Sequence, residues 1–194
     1  MVLVMGTVHL PPPVQFFCAL LLAPTITLDE VEPALVQRYG PIILRSPPIP
    51  FTQTAYYNRE MGAGLTRVYV AFKLLMDMGE LAAVKHTTNR LEALWATLAG
   101  ERRVNLDPGY LDLAKVVLAS TKDHAHRVYI GAGIFAEVTL RYWHKNFQPW
   151  DWTYPDYRLP MTLVFFHQLR LLYKTHLRCT ALSPLQALPV VPEG

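Results

Sequence analysis

Residues 67–106 read RVYVAFKLLMDMGELAAVKHTTNRLEALWATLAGERRVNL. Val68, Val70 and Phe72 alternate, which predicts a strand with one inward face. Leu81, Val84, Thr88, Leu91, Trp95 and Leu98 recur at spacings of three and four. That period predicts an amphipathic helix ended by Gly100, with Glu80, Lys85, Asn89, Arg90 and Glu92 largely off the apolar stripe. Arg103 to Leu106 predicts a further strand.

Upstream, Val14 to Leu22 is short, apolar and stopped by Ala23-Pro24, as a buried strand would be. Asp29 and Glu32 stand like a capping box, Val31 and Leu35 share a helix face, and Gly40-Pro41 stops the run. Pro33 fits such a helix only near its first turn, with Asp29 as the cap. Ile42 to Leu44 is a second strand. The order β-α-β-β-α-β is the ferredoxin-like split unit, and both helices on one face of an antiparallel sheet is its economical packing.

Downstream, periodicity leaves Val116 to Ala119 open between strand and helix. Arg127 to Ile130, Gly131-Ala132-Gly133 and Ala136 to Tyr142 predict a hairpin, with Val128 and Ile130 inward against Val138, Leu140 and Tyr142. Pro160 opens a last helix whose stripe is Phe165 or Phe166, Leu169, Leu172 and Tyr173. His167, Arg170, Lys174 and Arg178 run along another side. The expected fold is α+β: a ferredoxin-like βαββαβ core extended by a β-hairpin and a C-terminal helix, mainly antiparallel. Residues 14–178 form a single domain between a loose leader, 1–13, and a flexible Pro-rich tail, 179–194.

Composition narrows the function classes. The 194 residues are 52% apolar and 17% charged, with a net charge of +3, which is weak for a dedicated polyelectrolyte binder. Phe16 to Leu22 is far shorter than the ~20 residues of a spanning helix, and no Lys or Arg precedes Arg38, so the reading is a cytoplasmic protein with no membrane partner. Two cysteines, Cys18 and Cys179, make neither a disulfide framework nor a zinc cluster. No P-loop or dinucleotide motif occurs, so the cofactor is unknown, as is any metal. Residues 98–194 carry eleven Lys+Arg against eight Asp+Glu and five of the seven histidines, which places any site mainly in the second half.

Several segments are familiar together: Asn105-Leu-Asp-Pro-Gly-Tyr-Leu111, Ser120-Thr-Lys-Asp123, His126-Arg-Val-Tyr129, Ala136-Glu-Val-Thr-Leu140 and Thr153-Tyr-Pro-Asp-Tyr157. With Tyr56-Tyr57 and Glu60-Met-Gly62, they resemble a prokaryotic family catalogued as domain of unknown function 4416, from about residue 14 to about 175. The resemblance brings no established activity. It implies motif positions at Tyr57, Glu60, Asn105, Asp107, Gly109, Tyr110, Lys122, Asp123, His126, Arg127, Glu137, Tyr154, Asp156 and Tyr157. It puts an aromatic where His124 stands, and so gives no support to a His124/His126 metal pair.

Each motif has a plain reading and a functional one. Asn105 to Tyr110 reads as a β-turn after a strand, with Pro108 and Gly109 at turn positions; alternatively Asn105 and Asp107 face a pocket. Ser120 to Arg127 reads as a solvated loop or an anion site using Lys122 and Arg127. An inward His126 needs a partner, for which Asp107 and Asp123 are candidates. Arg127 and Glu137 read as a cross-strand pair on a wet face, or as part of a ligand floor. Tyr142 to Tyr157 holds seven aromatics, which pack over a sheet end or stack on bases; the basic row of the last helix reads as a solvated face or as an RNA or phosphate contact.

Three functions follow. The first is a binder of a phosphorylated small molecule or RNA element, with Lys122, Arg127 and Arg158 on the anion and Tyr154 or Tyr157 stacking. Tyr57, Glu60, Asn105, Asp123 and Asp156 complete that site. The second is a small hydrolase or transferase using Asp107 and His126 as an acid/base pair, with Glu60 or Glu137 as second carboxylate, with or without a divalent metal. The third is a structural or assembly partner; the oligomeric state is open.

Overall fold

The structure is a computed structural model that describes residues 6–53 and 57–182. Its elements are β1 (Val14–Leu22), α1 (Leu28–Tyr39), β2 (Ile42–Arg45), β3 (Ile49–Pro50), α2 (Asn58–Met61), β4 (Thr66–Met76), α3 (Leu81–Glu92), β5 (Val104–Leu111), β6 (Lys115–Ser120), β7 (Val128–Gly131), β8 (Ile134–Trp143), β9 (Asn146–Pro149) and α4 (Pro160–Leu182). The fold is α+β. Nine strands form one sheet in the order β2-β4-β1-β5-β6-β8-β7, with β3 beside β4 and β9 beside β8. Every pairing is antiparallel.

The unbroken apolar run of β1 is explained by cover on both faces. Phe16, Cys18 and Leu20, with Val68, Val70 and Phe72 of β4, pack with Val31 and Leu35 of α1 and with Val84 and Leu91 of α3. Phe17 and Ala19, with Tyr69 and Ala71, pack beneath Phe165, Phe166, Leu169 and Tyr173 of α4. Helices therefore cover both faces of the sheet.

The expected elements are present, with shifted edges. The first helix is capped by Thr27: the Glu30 carboxylate accepts from the Thr27 backbone N–H at 2.8 Å and from its hydroxyl at 3.0 Å. Glu32 instead pairs with Arg45. Pro33 thus lies in the second turn and leaves one carbonyl without its helical donor. Leu98 and Leu172 are exposed, because α3 ends at Glu92 in a 3-10 turn and the buried row of α4 runs through Tyr173. The row beside it is not wholly solvated, since the Arg170 guanidinium lies over Tyr142 and Nε donates to the Leu113 carbonyl. Val128 and Ile130 are also exposed. Val128 stands opposite Ala136 rather than the Val138–Tyr142 row, and β7 is the last strand of the sheet. Val116 to Ala119 is strand, in β6. Helix α4 continues to Leu182, past the expected start of the tail. Residues 6–13 are exposed and outside any element; residues 1–5 and 183–194 of the expected leader and tail, and Tyr56, lie outside the described residues.

Candidate functional site

The largest correction concerns Asn105 to Tyr110. The segment is not a turn but the middle of β5, paired residue by residue with β1 from Val104 to Leu111. On its other side β5 meets β6 only from Gly109 onward, where Gly109, Tyr110 and Leu111 face Leu118, Val117 and Val116. Gly109 permits that contact: a Cβ there would sit 2.5 Å from the Val117 carbonyl oxygen and 2.6 Å from Phe17 Cζ. N-terminal to Gly109 the two strands part, and the sheet holds an opening.

An open strand edge exposes unpaired backbone groups, and here α3 supplies the partners. Lys85 Nζ donates to the Leu106 carbonyl at 2.8 Å, and Glu92 accepts from the Leu106 N–H at 2.7 Å. Residue 108, two positions on, directs its backbone to the same edge; as proline it has no N–H to satisfy. Lys85, Thr88 and Glu92 are all buried, although Lys85 and Glu92 lie off the apolar stripe to which Thr88 belongs.

The opening is a cavity of about 540 Å³. Five cations (Arg67, Lys85, Arg102, Lys122, Arg127) and four carboxylates (Glu92, Asp107, Glu137, Asp156) line it, with Asn89, Asn105, Phe51, Tyr57, Tyr154 and Tyr157. Asp107 Oδ1 lies 3.3 Å from Lys85 Nζ, and its Oδ2 lies 2.8 Å from Asn105 Nδ2 and 3.5 Å from Arg67 Nη1. Burial pushes the Asp107 carboxyl up, but Lys85 and Arg67 outweigh this and hold it below its ordinary range. Arg67 Nε sits 2.9 Å from Asp156, which also accepts from the Tyr69 hydroxyl at 3.3 Å. Arg102 grips Glu60 through Nε and Nη2, at 2.5 and 2.7 Å, and reaches Glu92 and Asn105 through Nη1. Burial raises the Glu92 carboxyl despite these partners.

Across the cavity, Arg127 and Glu137 form the expected cross-strand pair at 2.8 Å, but it is buried rather than wet. Arg127 also donates to Ser120 Oγ, the Lys122 carbonyl and the Tyr154 hydroxyl. His126 Nε2 lies 3.1 Å from Glu137 Oε2; a carboxylate partner requires that nitrogen to carry the proton.

The structure therefore brings Tyr57, Asn105, Asp107, Lys122, Arg127, Glu137, Tyr154, Asp156 and Tyr157 to one cavity. Glu60 reaches it only through Arg102. Asp123 is exposed and outside the lining. Neither Asp107 nor Asp123 partners His126, and no Asp107–His126 acid/base pair is formed, because each side chain is committed elsewhere. Arg158 lies outside the cavity lining: its guanidinium donates to the Thr153, Trp150 and Asp151 carbonyls and clamps that loop. Tyr157 is not free to stack, its ring lying among Tyr69 and Phe166. The aromatic segment is mostly packed and contains β9, with Trp143, Trp152 and Tyr154 partly exposed. Among the described residues no three His, Cys, Asp or Glu side chains group as metal ligands, and no helix is long and apolar enough to cross a membrane.

Sequence reasoning missed Arg67, Lys85, Glu92 and Arg102. A signal existed for two of them: Lys85 and Glu92 stand three residues before and four after Thr88 of the apolar stripe, so both border the buried face of α3. Arg67 shares strand parity with Tyr69, on the face opposite Val68.

Fold and site together define an α+β protein with a charged cavity let into its sheet, where two strands separate. A sequence model of the family described as Domain of unknown function (DUF4416) matches residues 12–173, and the chain belongs to that family. No curated protein and no solved structure matches it significantly.

Proposed function

We propose that the protein binds a phosphorylated small molecule in this cavity. The observation that carries the reading is a surplus of hydrogen-bond donors. Tyr157 is 2% exposed, its hydroxyl has no partner among the described residues, and it lines the cavity. Burial pushes this phenol well above its ordinary range, so it keeps its proton and acts as a donor. Lys85 spends two of its three N–H groups. Arg67 Nη2 makes no hydrogen bond among the described residues, and that guanidinium lies 5.2 Å from the Phe51 ring centroid. Buried unpartnered donors call for an acceptor-rich ligand, and phosphate oxygens supply acceptors and charge together. The cavity volume suits a compact ligand.

Arg67, Lys85 and Tyr157 then replace Arg127 and Arg158 as the principal anion contacts, because those two are committed to protein partners. A whole RNA element fits a cavity of about 540 Å³ less well than a single small molecule. Hydrolase chemistry is less favoured, since an Asp107 held ionised between two cations is a weak base. We also propose a ferredoxin-like relation for the first half, supported by the order β2-β4-β1-β5 with α1 and α3 on one face. A single domain over residues 14–178 is supported by the sheet that runs through it, and a cytoplasmic setting by two free cysteines.

The test is a thermal-shift and calorimetric screen of sugar and nucleoside phosphates against their dephosphorylated counterparts. Phosphorylated ligands are expected to raise the melting temperature, with affinity falling as salt is added. Equal responses from both sets, or none, would overturn the reading.

A further inference from the structure

A column of stacked groups reaches the cavity at one end. The Arg141 guanidinium lies 4.5 Å over the Trp150 ring. Trp150 and Trp152 stack at 5.1 Å and 6°, Trp152 and His126 at 5.5 Å and 10°, and His126 and His124 at 5.8 Å and 16°. Two of the interior members are pinned. Trp152 Nε1 donates to the Val138 carbonyl at 3.1 Å, and His126 is fixed by Glu137. Arg141 occupies one end. The other end is His124, whose ring is exposed and lines the cavity. None of this is needed to hold an anion, and an aromatic column open at one end offers a platform for one more planar ring.

We propose that the ligand is a mononucleotide: a heteroaromatic base that extends the column on His124, joined to the phosphate held by the donors described above. The inference rests on the proposed phosphate reading and adds the ring. Gln53 and Asn89 line the same cavity, and their amides match the polar edge of a base. His124 suits a test because its side chain makes no hydrogen bond among the described residues, while its carbonyl accepts from Arg127 N at 2.9 Å whatever the side chain is.

Adenosine 5′-monophosphate, guanosine 5′-monophosphate and ribose 5-phosphate would be titrated calorimetrically into the full chain, with indole fluorescence followed in parallel. At least one nucleotide is expected to bind about tenfold or more tighter than ribose 5-phosphate, in line with base–aromatic stacking, and to perturb indole emission. His124→Ala is expected to erase that preference while leaving ribose 5-phosphate binding unchanged, and His124→Phe to restore it. A 5′-phosphorylated oligoribonucleotide is expected to bind more weakly than the mononucleotide. Ribose 5-phosphate binding as tightly as both nucleotides, or a preference that survives His124→Ala, would overturn the base platform and leave the phosphate reading standing. Tighter binding of the oligonucleotide would overturn the mononucleotide assignment. Binding of none of the phosphates would overturn both readings.

Discussion

Tyr157 and Asp107 show how single residues define this cavity. The Tyr157 ring is core and its hydroxyl has no partner among the described residues, so the two parts of the side chain have separable effects. Tyr157→Phe removes a buried unsatisfied donor and keeps the packing. It is expected to leave stability unchanged or slightly raised, measured by denaturant unfolding, while weakening ligand binding. Asp107 carries a pH signature. Its folded-state carboxyl is lowered from the ordinary 3.8. Its contribution is therefore present above that value and is lost as pH falls through the lower folded one. Unfolding free energies measured from about pH 5 to about pH 2 should fall less steeply in Asp107→Asn than in the wild type. At the cysteines, burial pushes the Cys18 thiol far up, whereas Cys179 is exposed. A thiol reagent is expected to modify Cys179 in the native protein and Cys18 only on unfolding.

Among the elements, β5 decides most, because it is a strand with half a neighbour. Lys85 and Glu92 stand in for the missing ladder, and their loss should be unequal. Lys85→Met leaves the Leu106 carbonyl unpaired and removes a cation from Asp107, and is expected to cost about 3 kcal/mol in denaturant unfolding. Glu92→Gln keeps an acceptor for the Leu106 N–H and removes a charge that burial already disfavours, so it is expected to cost less than about 1 kcal/mol. Gly109→Ala drives a Cβ into the Val117 carbonyl and is expected to cost about 1–3 kcal/mol or more, read as a lowered melting temperature. This is also where sequence legibility ended. The strands with clear alternation or apolar runs, β1 and β4, were visible, as was α1 to within a turn; α3 was visible too, but it stops at Glu92, about two turns before Gly100. Pro108-Gly109 looked like a turn because both residues are ordinary turn formers; only the parting of β5 from β6 makes them strand residues. Lys85 and Glu92 looked solvated because charge usually marks the wet face of a helix, and their buried role depends on a strand edge far away in sequence.

On the scale of the whole molecule, the cavity is assembled from both halves of the chain. Arg67, Lys85, Glu92, Asn105 and Asp107 come from β4, α3 and β5, while Arg127, Glu137, Tyr154, Asp156 and Tyr157 come from the later sheet and the segment before α4. The second-half motifs were legible as a polar concentration in a low-charge chain. Their partners were not, because each lies on an element that the apolar pattern alone explains. The near balance of cations and carboxylates around the cavity explains why a protein with a net charge of only +3 can still hold a strongly charged site. The most direct test of an anion-holding cavity is calorimetric titration of ribose 5-phosphate into the wild type and into Tyr157→Phe. Saturable binding to the wild type that weakens in the folded variant is the predicted result. No binding to the wild type, or equal affinity in both chains, would contradict it.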